Sequence, residues 1–271
     1  MSPLTESTRL TLAKTWDLAG FDADAAAYIQ RVEWADTTPL EAATRTAINN
    51  FVVGCKADGI WTAIKASCIL AGARTLAGAL MPLAGAAPTN NNFVTGDYNR
   101  KTGLVGDGST KYLNSNRAGN ADPQDSAHAT VYRTDTANPG TASFLGSQKA
   151  SGDRNVTFYT FSGATGYAIR KSGLGDSSVG STASTSGLLG VSRSSASSHM
   201  HRVAGSTTTN TISSIAPDST SIYIFANNVN GTLATPTNAR LAFYSIGESL
   251  DLALLDTRVS ALITAFGVAI P

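Results

Sequence analysis

Two histidines separated by one residue form the most distinctive chemical motif of the chain, His199-Met200-His201. Side chains at positions i and i+2 of a β-strand lie on the same face, so both imidazoles can reach one metal ion. In a three-fold assembly, three such pairs would converge on an axial metal. The pair occurs once, in the middle of a β-rich region, so we expect two surface-facing or half-buried histidines and assign no metal ligands.

Carboxylates and nucleophiles give little support to hydrolytic chemistry. A glycosidase needs two carboxylates across the scissile bond, but most aspartates of the β-rich region stand beside Gly or Pro, where Asp forms turns. The candidates are Asp97, Asp107, Asp122, Asp125, Asp153 and Asp176. No G-x-S-x-G motif accompanies the histidines, which are His128, His199 and His201. We therefore predict that the chain is not an enzyme and assign no catalytic residues.

A glycine-rich segment, Val105–Lys111, resembles a phosphate-binding loop at first sight. Gly103 and Gly108 have the Walker spacing, but Ser109 stands where the motif requires Lys. A tight turn before a strand explains the segment better. Calcium could use oxygens of Gly106-Asp107-Gly108 or Asp122-Pro123-Gln124-Asp125, but no EF-hand spacing exists, and we predict no cofactor.

Exposed aromatic side chains would be needed if the chain binds carbohydrate. Aromatic residues are sparse in the β-rich region, and most of them, including Phe158 and Phe161, are expected in the core. Tyr159 and Tyr167 are the two tyrosines that we expect to be exposed.

Composition limits the choice of partners. The chain has 271 residues, a net charge of +1, 42% hydrophobic and 14% charged residues, and no basic cluster for nucleic acid. The N-terminus has no signal-peptide pattern, and Ile60–Ala87, broken by charges, Pro and Gly, predicts no membrane span. Cys55 and Cys68 are too few for a disulfide framework. We expect two buried thiols, with a bridge between them as the open alternative.

Helical patterns dominate the first quarter of the chain. Residues 1–20 read as a docking arm, and a short helix is expected from Asp22. Thr38-Pro39-Leu40-Glu41 has the form of a capping box with a first-turn proline, which predicts a second helix start. Ile60, Ile64 and Cys68 predict a third short helix. Residues 21–68 are therefore predicted to be a helical subdomain. We expect Trp16, Trp34 and Trp61 to pack in the core against the sandwich, with contact to a neighbouring subunit as the alternative.

Residues 69–271 are predicted to form a β-sandwich with a C-terminal clasp helix. Strand-length segments recur about every ten residues, which is typical of antiparallel sandwiches. We expect strands at 111–114, 128–134, 142–147, 155–161, 166–170, 187–193, 198–204, 207–212, 221–227 and 240–247. The last strand places Leu241, Phe243 and Ser245 on one face and leads into a helical stripe. The stripe is Leu252, Leu255, Val259, Leu262, Ile263 and Phe266. Glu248 and Asp251 fit the start of that helix, with Ser249 able to cap it.

Three blocks of the chain resemble a recurring module of tailed-phage virion proteins. They are FVVGCKADGIWTAIKASCILAGARTLAGALMPLAG (51–85), APTNNNFVTGDYNRKTGLVGDGSTKYLNSNR (87–117) and NARLAFYSIGESLDLALLDTRVSALI (238–263). The resemblance implies a mainly β fold, an antiparallel jelly-roll β-sandwich of concanavalin A-like or laminin G-like type. Tail fibres are usually longer and carry repetitive shafts, whereas this chain has only a short arm before the module.

The resemblance implies a non-enzymatic structural component of a bacteriophage virion, in a tail fibre, tail tip or capsid-attached surface protein, assembled in the host cytoplasm. Its expected partners are other virion proteins and copies of itself, as a trimer by analogy with fibres, with host-receptor contact through the sandwich loops. The alternative function is a carbohydrate-binding module that recognises a host surface glycan. A polysaccharide depolymerase is the third alternative. Neither nucleic acid nor a membrane span is expected.

Overall fold

A computed structural model of the protein describes residues 18–161, 164–171, 177–179 and 184–271. In these residues two mainly antiparallel sheets pack face to face, and helices cover the free face of one of them. We call the helix-covered sheet the inner sheet and the other the outer sheet. The predicted jelly-roll-type β-sandwich with N-terminal and C-terminal helices is therefore confirmed.

The helices come from the two ends of the described chain. They are α1 (Ala23–Asp36), α2 (Ala42–Ala57), α3 (Leu76–Ala79) and α4 (Leu252–Ala269).

The inner sheet has the last long strand, β18, near its middle. In spatial order its strands are β14 (Ser206–Thr211), β13 (Ser198–Val203), β12 (Gly187–Arg193), β7 (Ala127–Arg133), β18 (Arg240–Gly247), β1 (Ile64–Ile69) and β2 (Pro82–Ala84), with β5 (Gly103–Val105) also on β18 and β4 (Tyr98–Asn99) on β5.

The outer sheet carries a small hairpin that folds back on one of its strands. In spatial order its strands are β11 (Ser177–Val179), β10 (Ala164–Lys171), β9 (Arg154–Phe161), β8 (Ala142–Gln148), β15 (Ser221–Ile224), β6 (Tyr112–Ala118) and β3 (Thr89–Asn91), with the hairpin of β16 (Asn227–Val229) and β17 (Thr232–Ala234) on β8. Nine of the ten predicted strand segments overlap single strands of the two sheets. The predicted strand at 221–227 is wrong in its second half, because β15 ends at Ile224 and the chain reverses before β16 begins at Asn227.

Two hydrophobic cores lie on opposite faces of the inner sheet. Between the sheets, Leu113, Phe144 and Phe158 are fully buried. Between the inner sheet and the helices, Phe51 of α2 packs edge-to-face on Phe243 of β18, with ring centroids 5.8 Å apart. The inner sheet is thus apolar on both faces, and the helices are required to cover it.

Helix α4 is the clasp that the sequence predicted. Its residues Leu252, Leu255, Val259, Leu262 and Phe266 are buried against the inner sheet and α2. The helix is also long and apolar enough to cross a membrane by length and composition, with a mean hydropathy of 1.5. In this structure its apolar stripe packs on α2 and the helix-facing side of the inner sheet.

A bulge in β18 corrects the predicted faces of this strand. Strict alternation would put Leu241 on the same face as Phe243. The register with β7 shifts between these two residues, so Leu241 joins the core between the sheets, while Ala242 and Phe243 both face the helices. A β-bulge adds one residue to a strand and reverses the alternation beyond it.

The predicted third helix through Ile60, Ile64 and Cys68 is wrong. A single 3-10 turn at Trp61–Ala63 leads directly into β1, whose residues pair with β18 from Ile64 to Ile69. Apolar residues four apart also fit a strand that is buried on both faces, which β1 is. The predicted boundary between residues 68 and 69 therefore falls inside β1, and residues 1–17 of the predicted arm lie outside the described residues.

The helix starts also differ from the prediction. Helix α2 begins at Ala42, and Glu41 makes no capping bond because its carboxylate binds Arg100 and Arg74. The hydrogen bond from Arg100 is the main reason that the pKa of Glu41 is lowered to about 2. Helix α4 is capped by Asp251, which accepts from the N–H groups of residues 253 and 254, while Ser249 bonds Ser126.

Both cysteines are buried free thiols, as expected, and no bridge joins them. Burial raises the pKa of Cys55 and of Cys68 to about 12. Of the three tryptophans, Trp61 packs partly against the helical core, Trp34 is 69% exposed, and Trp16 lies outside the described residues.

A buried ion pair holds α1 to α2, and its removal should destabilise the fold. Glu33 is fully buried; its Oε1 accepts from the Arg45 Nε at 2.7 Å and from the Leu40 N–H at 2.8 Å. Replacing Glu33 with Ala leaves the buried Arg45 without this carboxylate, so Glu33→Ala should lower the free energy of unfolding by about 3 kcal/mol. The matched control is Glu248→Ala, since Glu248 pairs with Lys65 where both are more than a third exposed. The control should cost less than about 1 kcal/mol in urea denaturation. Equal losses would contradict this account.

Stability should fall in mild acid because His128 is buried in its neutral form. Its Nδ1 donates to the Glu248 carbonyl, and its Nε2 accepts from the Ser245 hydroxyl at 2.8 Å. Burial lowers the pKa of His128 from 6.5 to about 4. As the pH falls, the unfolded chain therefore binds a proton at His128 before the folded chain does. The contribution of neutral His128 to the free energy of unfolding is complete above pH 6.5 and is lost between pH 6.5 and 4. It does not return below pH 4.

The loss from His128 should be about 3 kcal/mol across that range. Urea midpoints measured from pH 7.5 to 4 should fall less steeply for His128→Gln than for the wild type, because Gln does not titrate. Parallel curves for the two proteins would show that His128 is not the titrating group.

Candidate functional site

The carboxylates considered for catalysis are dispersed, and most are engaged. Asp97 pairs with Lys111 at 2.6 Å, and Asp122 pairs with Arg117. Asp125 accepts from the Ser214 hydroxyl. None of these contacts joins two carboxylates across a cavity, as a glycosidase requires.

The remaining aspartates have turn roles or lie outside the description. Asp107 Oδ1 accepts from the backbone N–H groups of Ser109, Thr110 and Lys111. This is the tight turn that the sequence predicted in place of a phosphate loop. Asp153 accepts from the hydroxyl of Ser151, two residues earlier, and Asp176 lies outside the described residues.

The two histidines of the His-x-His motif share one face of β13, as the spacing predicted, but that face points into the sandwich. Both are buried. His201 stacks on Tyr167 with ring centroids 5.1 Å apart, and Asn210 lies 2.8 Å from its Nδ1. His199 Nδ1 lies 3.3 Å from Arg193. Across the residues that the structure describes, no group of three His, Cys, Asp or Glu side chains gathers around a metal-sized space.

A polar cavity of about 250 Å³ opens on the outer sheet, on the face turned away from the core. Its floor is formed by β8 and β9, and the β16–β17 hairpin forms one wall. Val156 and Phe158 of β9 point into the core, so Thr157 and Tyr159 between and beyond them point outward and line the cavity. Its volume suits a small polar ligand.

A chain of hydrogen bonds orients the polar groups of this cavity. Arg154 Nη1 donates to Gln148 Oε1, and Asn227 Nδ2 donates to the same oxygen at 3.3 Å. This arrangement fixes both amides and leaves Asn227 Oδ1 as a buried acceptor with no partner among the described residues. An unpaired buried acceptor costs about 1–3 kcal/mol. Three different strands thus bring hydrogen-bonding groups to one place.

Tyr159 supplies the aromatic wall of the cavity. It lies opposite Gly166 of β10 in the sheet, and a Cβ atom added at Gly166 would lie 2.6 Å from the Tyr159 ring. The Tyr159 ring therefore packs directly on the backbone of Gly166, in space that the side chain of any other residue would occupy.

The sequence predictions for these aromatics are confirmed in part. Tyr159 is half-buried and lines the cavity, and Phe158 is in the core as expected. The prediction that Tyr167 is exposed is wrong. Its side chain is fully buried and packs edge-to-face on Phe158, with ring centroids 5.6 Å apart. The side chain of Phe161 lies outside the described residues.

The other residues of the cavity were missed. Thr157 follows from the alternation of β9, which could have found it. Asn227 could not be found this way because the chain reverses at Phe225, which has a left-handed φ of 69°. Non-glycine residues rarely adopt this conformation, and sequence alone gives no signal for it.

Other cavities are less suited to a ligand. An open depression of about 450 Å³ lies where α4 begins, lined by Met200, Leu250 and Leu252 among others. Its carboxylate, Asp251, is already used to cap α4. We therefore take the cavity on the outer sheet as the candidate binding site, and name it the Tyr159 pocket.

No protein-family model matches the chain, and no curated protein matches it in sequence. Among solved structures, a Trypanosoma rangeli sialidase mutant displaying trans-sialidase activity superposes on 80% of the chain with a TM-score of 0.50 and 12% identity. The chain covers 39% of that protein. At this identity the similarity shows a shared β-sandwich fold and nothing about activity.

Looser similarities involve other sialidase structures. The Ruminococcus gnavus IT-sialidase CBM40 matches 49% of the chain and 82% of its own length, with a TM-score of 0.39 and 14% identity. The Streptococcus pneumoniae NanB sialidase matches 51% of the chain and 24% of its own length, with a TM-score of 0.38 and 13% identity. Superpositions this partial carry no argument about the chain.

Adding a methyl group at Gly166 should deform the Tyr159 pocket without unfolding the protein. The Cβ of Gly166→Ala would meet the outer end of the Tyr159 side chain, which can rotate away at little cost. We expect the free energy of unfolding to change by less than about 1 kcal/mol, and Tyr159 to become more exposed to solvent in a crystal structure of the variant. Cooperative unfolding at a much lower urea concentration would show that the ring position is fixed by the fold.

Proposed function

We propose that this chain is a non-catalytic glycan-binding β-sandwich and that the Tyr159 pocket holds one sugar unit. The observation that carries the proposal is the pairing of an aromatic wall, Tyr159, with a bonded polar network, Arg154–Gln148–Asn227, in one cavity. A sugar ring has apolar C–H faces and a polar hydroxyl rim. Binding pockets of this kind combine an apolar wall with a few fixed polar groups.

The polar network matches the hydroxyl rim of a sugar. Arg154 and the amide of Gln148 supply donors to the pocket. Ser143 and Thr235, whose hydroxyl oxygens lie 2.8 Å apart, add groups that both donate and accept at the other side of the pocket. A ligand with several adjacent hydroxyls uses such a set better than an apolar ligand does.

Binding without cleavage is the second part of the proposal. The side chains that line the Tyr159 pocket include no Asp, Glu or His, and glycoside hydrolysis in most families needs a pair of carboxylates. The described aspartates of the β-sandwich take part in ion pairs, turns and local hydrogen bonds instead.

The biological setting that we propose is the surface of a tailed-phage virion. The resemblance of residues 51–85, 87–117 and 238–263 to phage virion proteins supports it, and it stays a prediction. A glycan pocket on such a protein would contact host surface polysaccharide, so the structural and the glycan-binding functions are compatible. Mass spectrometry of purified particles tests the setting, because a protein found only in soluble lysate would not be a virion component.

Removing the ring of Tyr159 should abolish most of the glycan affinity. On an array of neutral and acidic oligosaccharides, we expect the wild type to bind a restricted set. Tyr159→Ala should weaken that binding at least about tenfold, which corresponds to about 1.4 kcal/mol. Tyr159→Phe should bind within a few fold of the wild type, because it keeps the apolar face.

A matched control uses a second tyrosine on the outer sheet. Tyr112 packs against Tyr223 at a centroid distance of 4.5 Å and is not part of the Tyr159 pocket. Tyr112→Ala should leave glycan binding unchanged. Equal losses for both alanine variants, or an array with no bound glycan, would refute the pocket. Release of oligosaccharide from the bound glycan would point to the depolymerase alternative.

A further inference from the structure

Strand β14 forms one edge of the inner sheet and has none of the features that usually protect an edge. It spans six residues, Ser206–Thr211, pairs with β13 on one side, and ends the strand order on the other. Its sequence, STTTNT, contains no charge and no proline, and its register with β13 is unbroken. Exposed edges are normally shortened, charged, bulged or interrupted by proline to prevent pairing with another chain.

Other edge strands in the described part of the chain do show such protection. At the opposite edge of the inner sheet, β2 has three residues and begins with Pro82, whose carbonyl accepts from Arg31. The outer sheet ends in β3 and β11, of three residues each. Strand β14 is therefore exceptional in length and composition among these edges.

Among the residues that the structure describes, no strand pairs with the outer edge of β14, and most of its residues are exposed. The turn Ala204–Gly205 has two positive φ angles, 51° and 76°, and joins Val203 directly to Ser206. In such a two-residue hairpin the flanking pair is hydrogen-bonded, and bonding then alternates along the strands. The N–H and C=O groups of Thr207, Thr209 and Thr211 consequently point away from β13.

We propose that β14 pairs antiparallel with β14 of a second copy of this chain, giving a dimer with a two-fold axis at Thr209. In that register Thr209 faces its own copy and Thr207 faces Thr211, so each outward residue donates one backbone hydrogen bond and accepts one. An isologous contact of this kind closes at two subunits.

The side chains of β14 suit an identical partner. Two copies of an uncharged strand bring no like charges together, and threonine pairs opposite one another are favourable in antiparallel sheets. The nearest charge on the neighbouring strand, Arg202, is already paired with Asp256 at 2.7 Å. A charged foreign strand would find no complementary group on β14 itself.

The dimer would leave the Tyr159 pocket open, because that pocket belongs to the outer sheet. Two pockets would then be carried by one rigid particle. Linked binding sites raise the apparent affinity for a surface that repeats its ligand.

A proline at Thr209 tests the pairing with little expected effect on the monomer. Thr209 points its N–H outward, so Thr209→Pro removes a bond between subunits and none within the sheet. Sedimentation equilibrium of the full chain should show a dimer for the wild type and a dissociation constant at least about tenfold weaker for Thr209→Pro, the effect of about 1.4 kcal/mol. Thr209→Val keeps the N–H and should remain dimeric.

Cysteine cross-linking tests the register independently and does not rely on the proline variant folding. Thr209→Cys would place two thiols opposite each other at the axis, within reach of a disulfide. In Ser206→Cys, on the same exposed strand, the two thiols would be roughly 20 Å apart, since each residue advances the strand by about 3.4 Å. The native cysteines are buried and should not interfere. Mild oxidation should cross-link Thr209→Cys and leave Ser206→Cys monomeric on a denaturing gel.

Three results would overturn the proposal. The first is a wild-type protein that stays monomeric at high concentration. The second is a wild-type trimer whose subunit affinity is unchanged by Thr209→Pro. The third is stronger cross-linking of Ser206→Cys than of Thr209→Cys.

Discussion

Strand β18 is buried on both of its faces, and this constraint organises the rest of the chain. Tyr244 and Ile246 pack between the sheets, while Ala242 and Phe243 pack under the helices. A strand that is apolar on both faces cannot form the outer layer of a two-layer sandwich. The N-terminal helices and the C-terminal helix are therefore a necessary third layer.

Because of this third layer, only the outer sheet keeps a face that is open to solvent. One face of the inner sheet packs against the helices and the other packs against the outer sheet, so its middle strands have no exposed surface for a ligand. The outer sheet is covered on one side only, and its free face carries small and polar residues such as Gly146, Thr157 and Gly166. Recognition is therefore expected on the outer sheet, where loops and hairpins can vary without exposing the core.

The sequence predicted the sandwich well because most of its strands alternate regularly and are separated by turn residues. Helix α4 was equally clear, since its apolar stripe repeats with the helical period. Errors arose where tertiary contacts decide. Ile64 and Cys68 are spaced as in a helix, yet they belong to a strand buried on both sides. Glu41 could cap α2, but two arginines that lie distant in sequence hold its carboxylate.

The candidate site was accessible to sequence reasoning only in part. Tyr159 was expected to be exposed, and the burial of Val156 and Phe158 on β9 explains why its side chain faces outward. Its neighbour in the pocket, Asn227, arrives through a chain reversal at Phe225 that no residue type signals. The Arg154–Gln148–Asn227 network depends on β8, β9 and β16 meeting at one point, and hydrogen bonds between distant segments have no local pattern in the sequence.

The burial of the two thiols determines how the chain responds to a change of redox environment. A thiol whose pKa is raised to about 12 has almost no thiolate at neutral pH, and the thiolate is the form that reacts. The covalent structure of this chain is thus indifferent to whether its surroundings are reducing or oxidising. A protein made in a reducing cytoplasm could be released into an oxidising exterior and keep one chemical identity throughout.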